Sequence, residues 1–416
     1  MSDAVLNWNR ALLEVIRQVG GAPTTASRGA AMMHGAIYDA VNSALGTHQP
    51  YLVAVPVTGR VALPVAVAHA AYGTLAAAFP HTTVDLTAEL HKALADVPDG
   101  EDEAAVAAGR AVGEAAARAM VAARADDGSD DTTAYVPGTL PGDWRPTGSG
   151  PAVGPYWFRV RPFALERGDQ FRPPRPAGFA SITELLRSVE YAAQLNEVKL
   201  LGQAGSTART AEQTETAHFW ANDLDGTYKP PGQLLDITRI VAEIRGLDIA
   251  QNARLFALVS LALADAALAA WDAKYATDLD LWRPETAIQL ADTDGNAGTS
   301  PDKGWQPLSA DRAGKHFSPA FPAYVSGHAT LAGAHAAVLR AFFGTDNLTF
   351  TAGTEDPHAK GVTRRFNSFT QAALENARSR VYLGVHYQWD ADHGFLTGTA
   401  VGDRVAATRL RPISAR

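Results

Sequence analysis

The chain has 416 residues, 46% of them apolar and 19% charged, with a net charge of −8 at pH 7. That length allows one large domain or two medium ones around a sizeable core, and the acidic balance argues against nucleic acid or an anionic membrane surface as a partner. The absence of cysteine excludes disulfides, thiolate metal sites and cysteine nucleophiles.

The first twenty residues carry Asp3, Arg10, Glu14 and Arg17. They therefore lack a signal-peptide core, and a soluble, cytoplasmic chain is expected. Helical spacing then predicts helices over Glu101–Arg124, Ser181–Leu201, Gly232–Arg245, Ile249–Lys274 and Arg364–Leu383. The most apolar stretch, Leu255–Trp271, is interrupted by Asp265 and flanked by Arg254 and Asp272. It reads as a buried helix and not as a membrane span. Strand signals are confined to Tyr156–Pro162 and Leu348–Thr351. Gly and Pro concentrate in Asp126–Pro176 and again in Asp292–Ala323, which read as long irregular connections. The expected fold is all-α: two helical bundles with long irregular loops and the active site in the C-terminal bundle. Residues 1–176 would form an N-terminal helical part with the long Pro/Gly-rich loop. Residues 177–416 would form the C-terminal bundle, the two making one compact unit.

Three segments of the second half carry chemistry. In Ser379-Arg380-Val381-Tyr382-Leu383-Gly384-Val385-His386, followed by Asp390, a cation precedes a histidine that has an acid four residues beyond it. If the helix continues past His386, Asp390 lies one turn away on the same face, where it would fix the histidine tautomer. An amphipathic helix end in water would explain the same residues. In Phe321-Pro322-Ala323-Tyr324-Val325-Ser326-Gly327-His328, a loop delivers Ser-Gly-His to the start of an Ala-rich helix. Backbone N–H groups there favour an anion, glycine permits close approach, and His328 titrates near neutrality. A simple Ser326 N-cap is the plainer account. His335 reads as core. The third segment is Trp271-Asp272-Ala273-Lys274 with Trp282-Arg283-Pro284, and cations at helix C-termini are common for dipole reasons alone. The triplet Trp144-Arg145-Pro146 repeats Trp-Arg-Pro without an upstream lysine and is read as chance.

In this order the three segments resemble the signature of the vanadium-dependent haloperoxidases and the type-2 phosphatidic acid phosphatase superfamily. The third motif of that signature matches in spacing. The second has Val325 where the family usually has proline. The first has eight residues between Lys274 and Arg283 where the family has six, consistent with a two-residue insertion within Tyr275–Leu281. The resemblance is tight over Asn252–Asp392 and loose elsewhere, including Asn7-Trp8-Asn9-Arg10.

The resemblance implies a bound vanadate, a site that phosphate also fits. His386 would be the vanadium ligand, with Lys274, Arg283, Ser326, Gly327 and Arg380 on the vanadate oxygens and His328 in the acid–base position. Asp223 resembles the acid that pairs with Arg380, and Asp390 would orient His386. Phe321 and Trp271, on the site wall, resemble the chloroperoxidase pattern, although packing alone would account for both. The implied reaction is Lewis-acid activation of hydrogen peroxide, with His328 moving its proton and Lys274 or an arginine polarising the oxidant. A bromide or chloride is then oxidised to a hypohalous species, with a small organic acceptor as a further partner. A soluble phosphatase working through a phospho-histidine at His386 is the second reading, and an inactive oxyanion-binding protein the third. A homodimer, common among such relatives, is left open by composition.

Overall fold

The computed structural model describes residues 3–97 and 101–413. Among them are fourteen α-helices and one two-stranded antiparallel sheet. Five helices come first: α1 (Ala4–Val19), α2 (Pro23–Leu45), α3 (Leu63–Ala78), α4 (Leu86–Ala95) and α5 (Glu103–Arg124). A long stretch holding only 3-10 turns leads to α6 (Ile182–Leu186), α7 (Val189–Leu201), α8 (Ala211–Phe219) and α9 (Lys229–Arg245). Then come α10 (Ile249–Tyr275), α11 (Pro284–Gln289) and α12 (Gly327–Phe343). Strands β1 (Asn347–Gly353) and β2 (Thr363–Ser368) precede α13 (Phe369–Tyr382) and α14 (Gln388–Thr408).

Helix α10 is the axis of the molecule. A reciprocal capping box, Asp248 with Gln251, starts it. It packs against α2 and α9 and also against α12 and α14. By length and composition it is apolar enough to cross a membrane, yet 94% of its most apolar window is buried inside the protein. Asp265, midway along it, is buried and accepts three consecutive backbone N–H bonds, from Phe163, Ala164 and Leu165, each at 2.7 Å. The long irregular stretch is thereby clamped to the core. Asp39 of α2 does the same for Tyr51, Leu52 and Val53, at 2.6, 2.8 and 3.0 Å.

Helices α12 and α14 approach closely because one face of α14 is glycine. A Cβ on Gly394 would stand 2.8 Å from the Ser326 oxygen, and one on Gly398 2.7 Å from the Thr330 carbonyl carbon. No side chain fits there, so the two backbones meet directly.

Three expected elements differ. Tyr156–Pro162 is not a strand. The N–H groups of Trp157, Arg159 and Val160 close tight turns onto Gly154, Tyr156 and Trp157, leaving no donors for a ladder. Ser181–Leu201 is two helices, because Ser188 caps α7 through Tyr191 N at 3.0 Å and stops α6 just before it. Arg364–Leu383 begins as strand β2, with Phe366 paired to Phe350, and becomes helical only at Phe369 after the Ser368 cap. The Leu348–Thr351 strand lies within β1.

Candidate oxyanion site

The three sequence segments converge. Segment Phe321–Ser326 turns against the end of α10, Ser326 starts α12, and His386 lies in the break between α13 and α14. Gly384 takes φ +80° and ends the first of those helices, a conformation that a side chain resists. The chain is therefore not helical through His386. Asp390 reaches the histidine all the same, because it sits in the first turn of α14 and folds back. The His386 Nδ1–H donates to Asp390 Oδ2 at 2.9 Å, and Tyr387 N donates to the same oxygen at 3.1 Å.

A bond from Nδ1–H to a carboxylate leaves His386 Nε2 as the nitrogen with a lone pair. Arg283 Nη1 donates to it at 3.0 Å and also to the Val385 carbonyl at 2.7 Å. Burial, with Arg283 and Lys274 nearby, holds the imidazole well below its usual pKa, so it is neutral. Burial pushes the Asp390 carboxyl up to about 7, against the pull of Lys274.

Arg283 and Arg380 are fully buried yet incompletely paired. Arg283 Nε donates to the Phe321 carbonyl at 2.7 Å, while Nη2 is buried without a partner. Arg380 Nη2 donates to Asp223 Oδ2 at 2.8 Å, while Nε and Nη1 are buried without a partner. Buried donors of charged groups are costly to leave unmade. Two of them belong to Arg380, which lines one narrow cavity with His328 and His386, and the third to Arg283, which bonds His386; such a set fits an anionic guest. Burial lowers Arg283 to about 9, still protonated at neutral pH.

Ser326 caps α12 by accepting from Ala329 N at 3.3 Å, so the plain capping role holds. As acceptor in that bond it keeps its hydroxyl proton to donate. Gly327 lines the cavity, and a Cβ there would stand 3.3 Å from the Trp271 ring. The first-turn N–H groups of Gly327 and His328 have no intrahelical acceptor by position. His328 Nε2 donates to the Ala221 carbonyl at 2.9 Å and lies 3.8 Å from Asp223 Oδ1. Its unprotonated nitrogen is therefore Nδ1. Burial and then Arg380 push its pKa down to about 4. Burial works against Asp223, but His328 and Arg380 hold its carboxyl below the usual range.

Trp271 and Phe321 pack at 5.0 Å between ring centroids and line the cavity together with Pro23, Pro230 and Pro319. Lys274 lies behind that wall. It is fully buried, with Nζ 4.9 Å from the Phe321 ring centre, and donates to the carbonyls of Pro322, Ala323 and Val325 at 2.7, 3.3 and 2.5 Å. The Trp144-Arg145-Pro146 triplet is outside the site. Trp144 is buried against Tyr135 and Tyr275, and its backbone N–H donates to the Asp280 carbonyl. Sequence reasoning missed the carbonyls of Ala221, Phe321 and Val385, which carry no residue-type signal. It also missed Lys229, which donates to the Asp223 carbonyl at 2.7 Å.

Comparison with known proteins bears on the fold and on the C-terminal half of the sequence. Residues 254–414 match the model of the second helical-bundle domain of vanadium chloroperoxidase (VCPO). The vanadium chloroperoxidase of Curvularia inaequalis is 32% identical over 241 residues, which are 45% of this chain and 37% of that protein. The chain thus spans little more than a third of that curated relative. A crystal structure described as the first bacterial vanadium-dependent iodoperoxidase superposes with a TM-score of 0.81 at 26% identity, over 98% of this chain and 96% of the other. A holo-type bacterial vanadium-dependent chloroperoxidase superposes with a TM-score of 0.73 at 20% identity, over 94% and 93%, a likeness of fold.

Proposed function

We propose that this chain, built on the fold of the vanadium-dependent haloperoxidases and similar to them in sequence, oxidises halide with hydrogen peroxide on a bound vanadate. The observation that carries the reading is the set of buried, unpartnered donors on Arg283 and Arg380 beside a neutral histidine, whose Nε2 lone pair accepts from Arg283 Nη1. That donor set suits a multiply charged oxyanion. His386 Nε2 would be the ligand to vanadium. Arg283 Nη2, Arg380 Nε and Nη1, the Ser326 hydroxyl and the first-turn N–H groups of α12 would hold the oxygens. Bound there, vanadate supplies Lewis acidity that activates hydrogen peroxide toward halide.

The rest of the work falls to this chain's own groups. Asp390 fixes the His386 tautomer, so that Nε2 presents its lone pair. Asp223 aligns Arg380 through one N–H and leaves the other two donors for the anion. His328, neutral at pH 5–8 and held by Ala221, keeps Nδ1 available to take a proton from hydrogen peroxide. The Trp271–Phe321 wall keeps water from that side.

The test is to load the protein with vanadate and assay a halogenation probe with hydrogen peroxide and iodide, bromide or chloride. Absence of turnover with all three overturns the proposal. Hydrolysis of a simple aryl phosphate, blocked by vanadate, would instead assign the site to phosphate transfer through His386.

A further inference from the structure

Lys274 occupies the motif position from which relatives direct a cation at the anion, but its surroundings here are different. Burial and the nearby Arg283 pull the Lys274 pKa well below its usual value, but three oxygen acceptors around Nζ favour the ammonium, which has three protons to donate. Three backbone carbonyls, those of Pro322, Ala323 and Val325, stand within 3.3 Å of Nζ. The hydrogen-bonding capacity of the group is filled. Trp271 and Phe321 line that side of the cavity, with Lys274 Nζ 5.8 and 4.9 Å from their ring centres. The two arginines show the contrast: both keep buried N–H groups without partners, and Lys274 keeps none.

The acceptors lie in one short segment, directly before Ser326 and Gly327. That segment has few other backbone ties. Ala323 N donates to Leu281 O at 2.8 Å, Ser326 N to Asp390 O at 2.9 Å, and Arg283 Nε reaches the Phe321 carbonyl. The carbonyls of Pro322 and Val325 point inward, and a buried carbonyl without a donor costs about 1–3 kcal/mol. Lys274, in the last turn of α10, supplies the missing donors.

We propose that Lys274 is a positioning residue in this chain: it holds the 321–325 segment by its carbonyls, and so sets Ser326 and Gly327, while Arg283 and Arg380 supply the charge that binds the anion. The inference rests on the oxyanion reading of the site, but its test does not require turnover, so the two can fail separately.

The experiment compares wild type, Lys274→Met and Arg380→Met without vanadate. Hydrogen exchange is read on the anion-free protein, and inorganic phosphate affinity by calorimetry. In Lys274→Met, amides of residues 321–327 should exchange at least about tenfold faster, with phosphate affinity falling less than about tenfold. Arg380→Met should lose about 10²-fold in affinity, two charge-assisted donors being removed. Unchanged exchange of 321–327 in anion-free Lys274→Met overturns the proposal, as does an affinity loss equal to that of Arg380→Met. Should Lys274→Met not fold, a crystal structure of the wild-type chain with tungstate decides. Nζ still on the three carbonyls supports the proposal, and Nζ within 3.2 Å of a tungstate oxygen, the upper hydrogen-bond limit, overturns it.

Discussion

Gly398→Ala sets two known effects against each other at the seam that carries the site. In a helix interior the exchange alone is favourable by about 1 kcal/mol. Here the new Cβ would stand 2.7 Å from the Thr330 carbonyl carbon, 3.0 Å from Ala334 N, and closest of all to the Thr330 oxygen. All three atoms are backbone, so no rotamer change relieves the overlap. The helices must part by roughly 1 Å, and overpacking of this kind costs about 1–3 kcal/mol. Separation also forfeits a quarter to a half of the contact energy along the seam. The clash wins, by about 2 kcal/mol net. With about 2 cal/mol/K of unfolding entropy per residue, that is a fall in Tm of only about 2 °C, so urea denaturation is the more sensitive assay. Thr330 lies one turn beyond Ser326, whose carbonyl it bonds through both N and Oγ1. The displacement therefore reaches the first turn of α12, and phosphate affinity should fall with stability. A variant as stable as wild type, or more so, would refute this account of the seam.

Four further outcomes are expected. Asp390→Asn should weaken phosphate or vanadate affinity by about 10–100-fold, read by calorimetry, because His386 loses the carboxylate that orients it; unaltered affinity would remove Asp390 from the site. Asp265→Ala should lower urea stability by about 3 kcal/mol or more, because three buried N–H groups lose their acceptor together, and the amides of 163–165 should lose protection from exchange. In the anion-free protein the His328 ring should titrate near pH 4 and not near 6.5, read by NMR; a midpoint at 6.5 would refute the account of burial and Arg380 as its perturbers. Stability should fall in acid. The pKa values of the buried His34 and His335 lie below those of the unfolded chain, so their contribution is present above pH 6.5 and is lost as pH falls toward the native values. His34 and His335, both buried and pushed down to about 3, each contribute a slope of about 1.4 kcal/mol per pH unit between pH 6 and 4. His34→Gln should remove one such share; an unchanged slope would show that His34 titrates normally.

What could be read beforehand follows from how local each signal is. The Ser326 cap, the α12 start and the apolar run of α10 are signalled by residues within a few positions, and the structure has them where expected. Helices α2 and α3 are buried on most sides and rich in alanine, so no polar face marks their period; they went unnamed. Segment 363–368 was read into a helix because its partner strand is defined only by pairing across a turn. At the site, residue types identified the histidines and arginines. The acceptors of Lys274, the carbonyl that sets the His328 tautomer and the three N–H groups on Asp265 are backbone atoms, supplied by segments distant in sequence. Asp265 itself read only as a charge interrupting an apolar run.

The central position of α10 has a practical consequence for anyone cutting the chain. The matched bundle begins at residue 254, one turn inside α10 and past its capping box. A fragment starting there would lack α2, whose His34 ring lies 4.9 Å from Phe256, and would leave an apolar helix face open to water. It would strand Asp265 without its three donors, Arg380 without Asp223, and His328 without the Ala221 carbonyl. Truncations, split halves and grafts of this site must therefore carry the chain from before residue 163, and the stretch that looks most like filler is the part they can least omit.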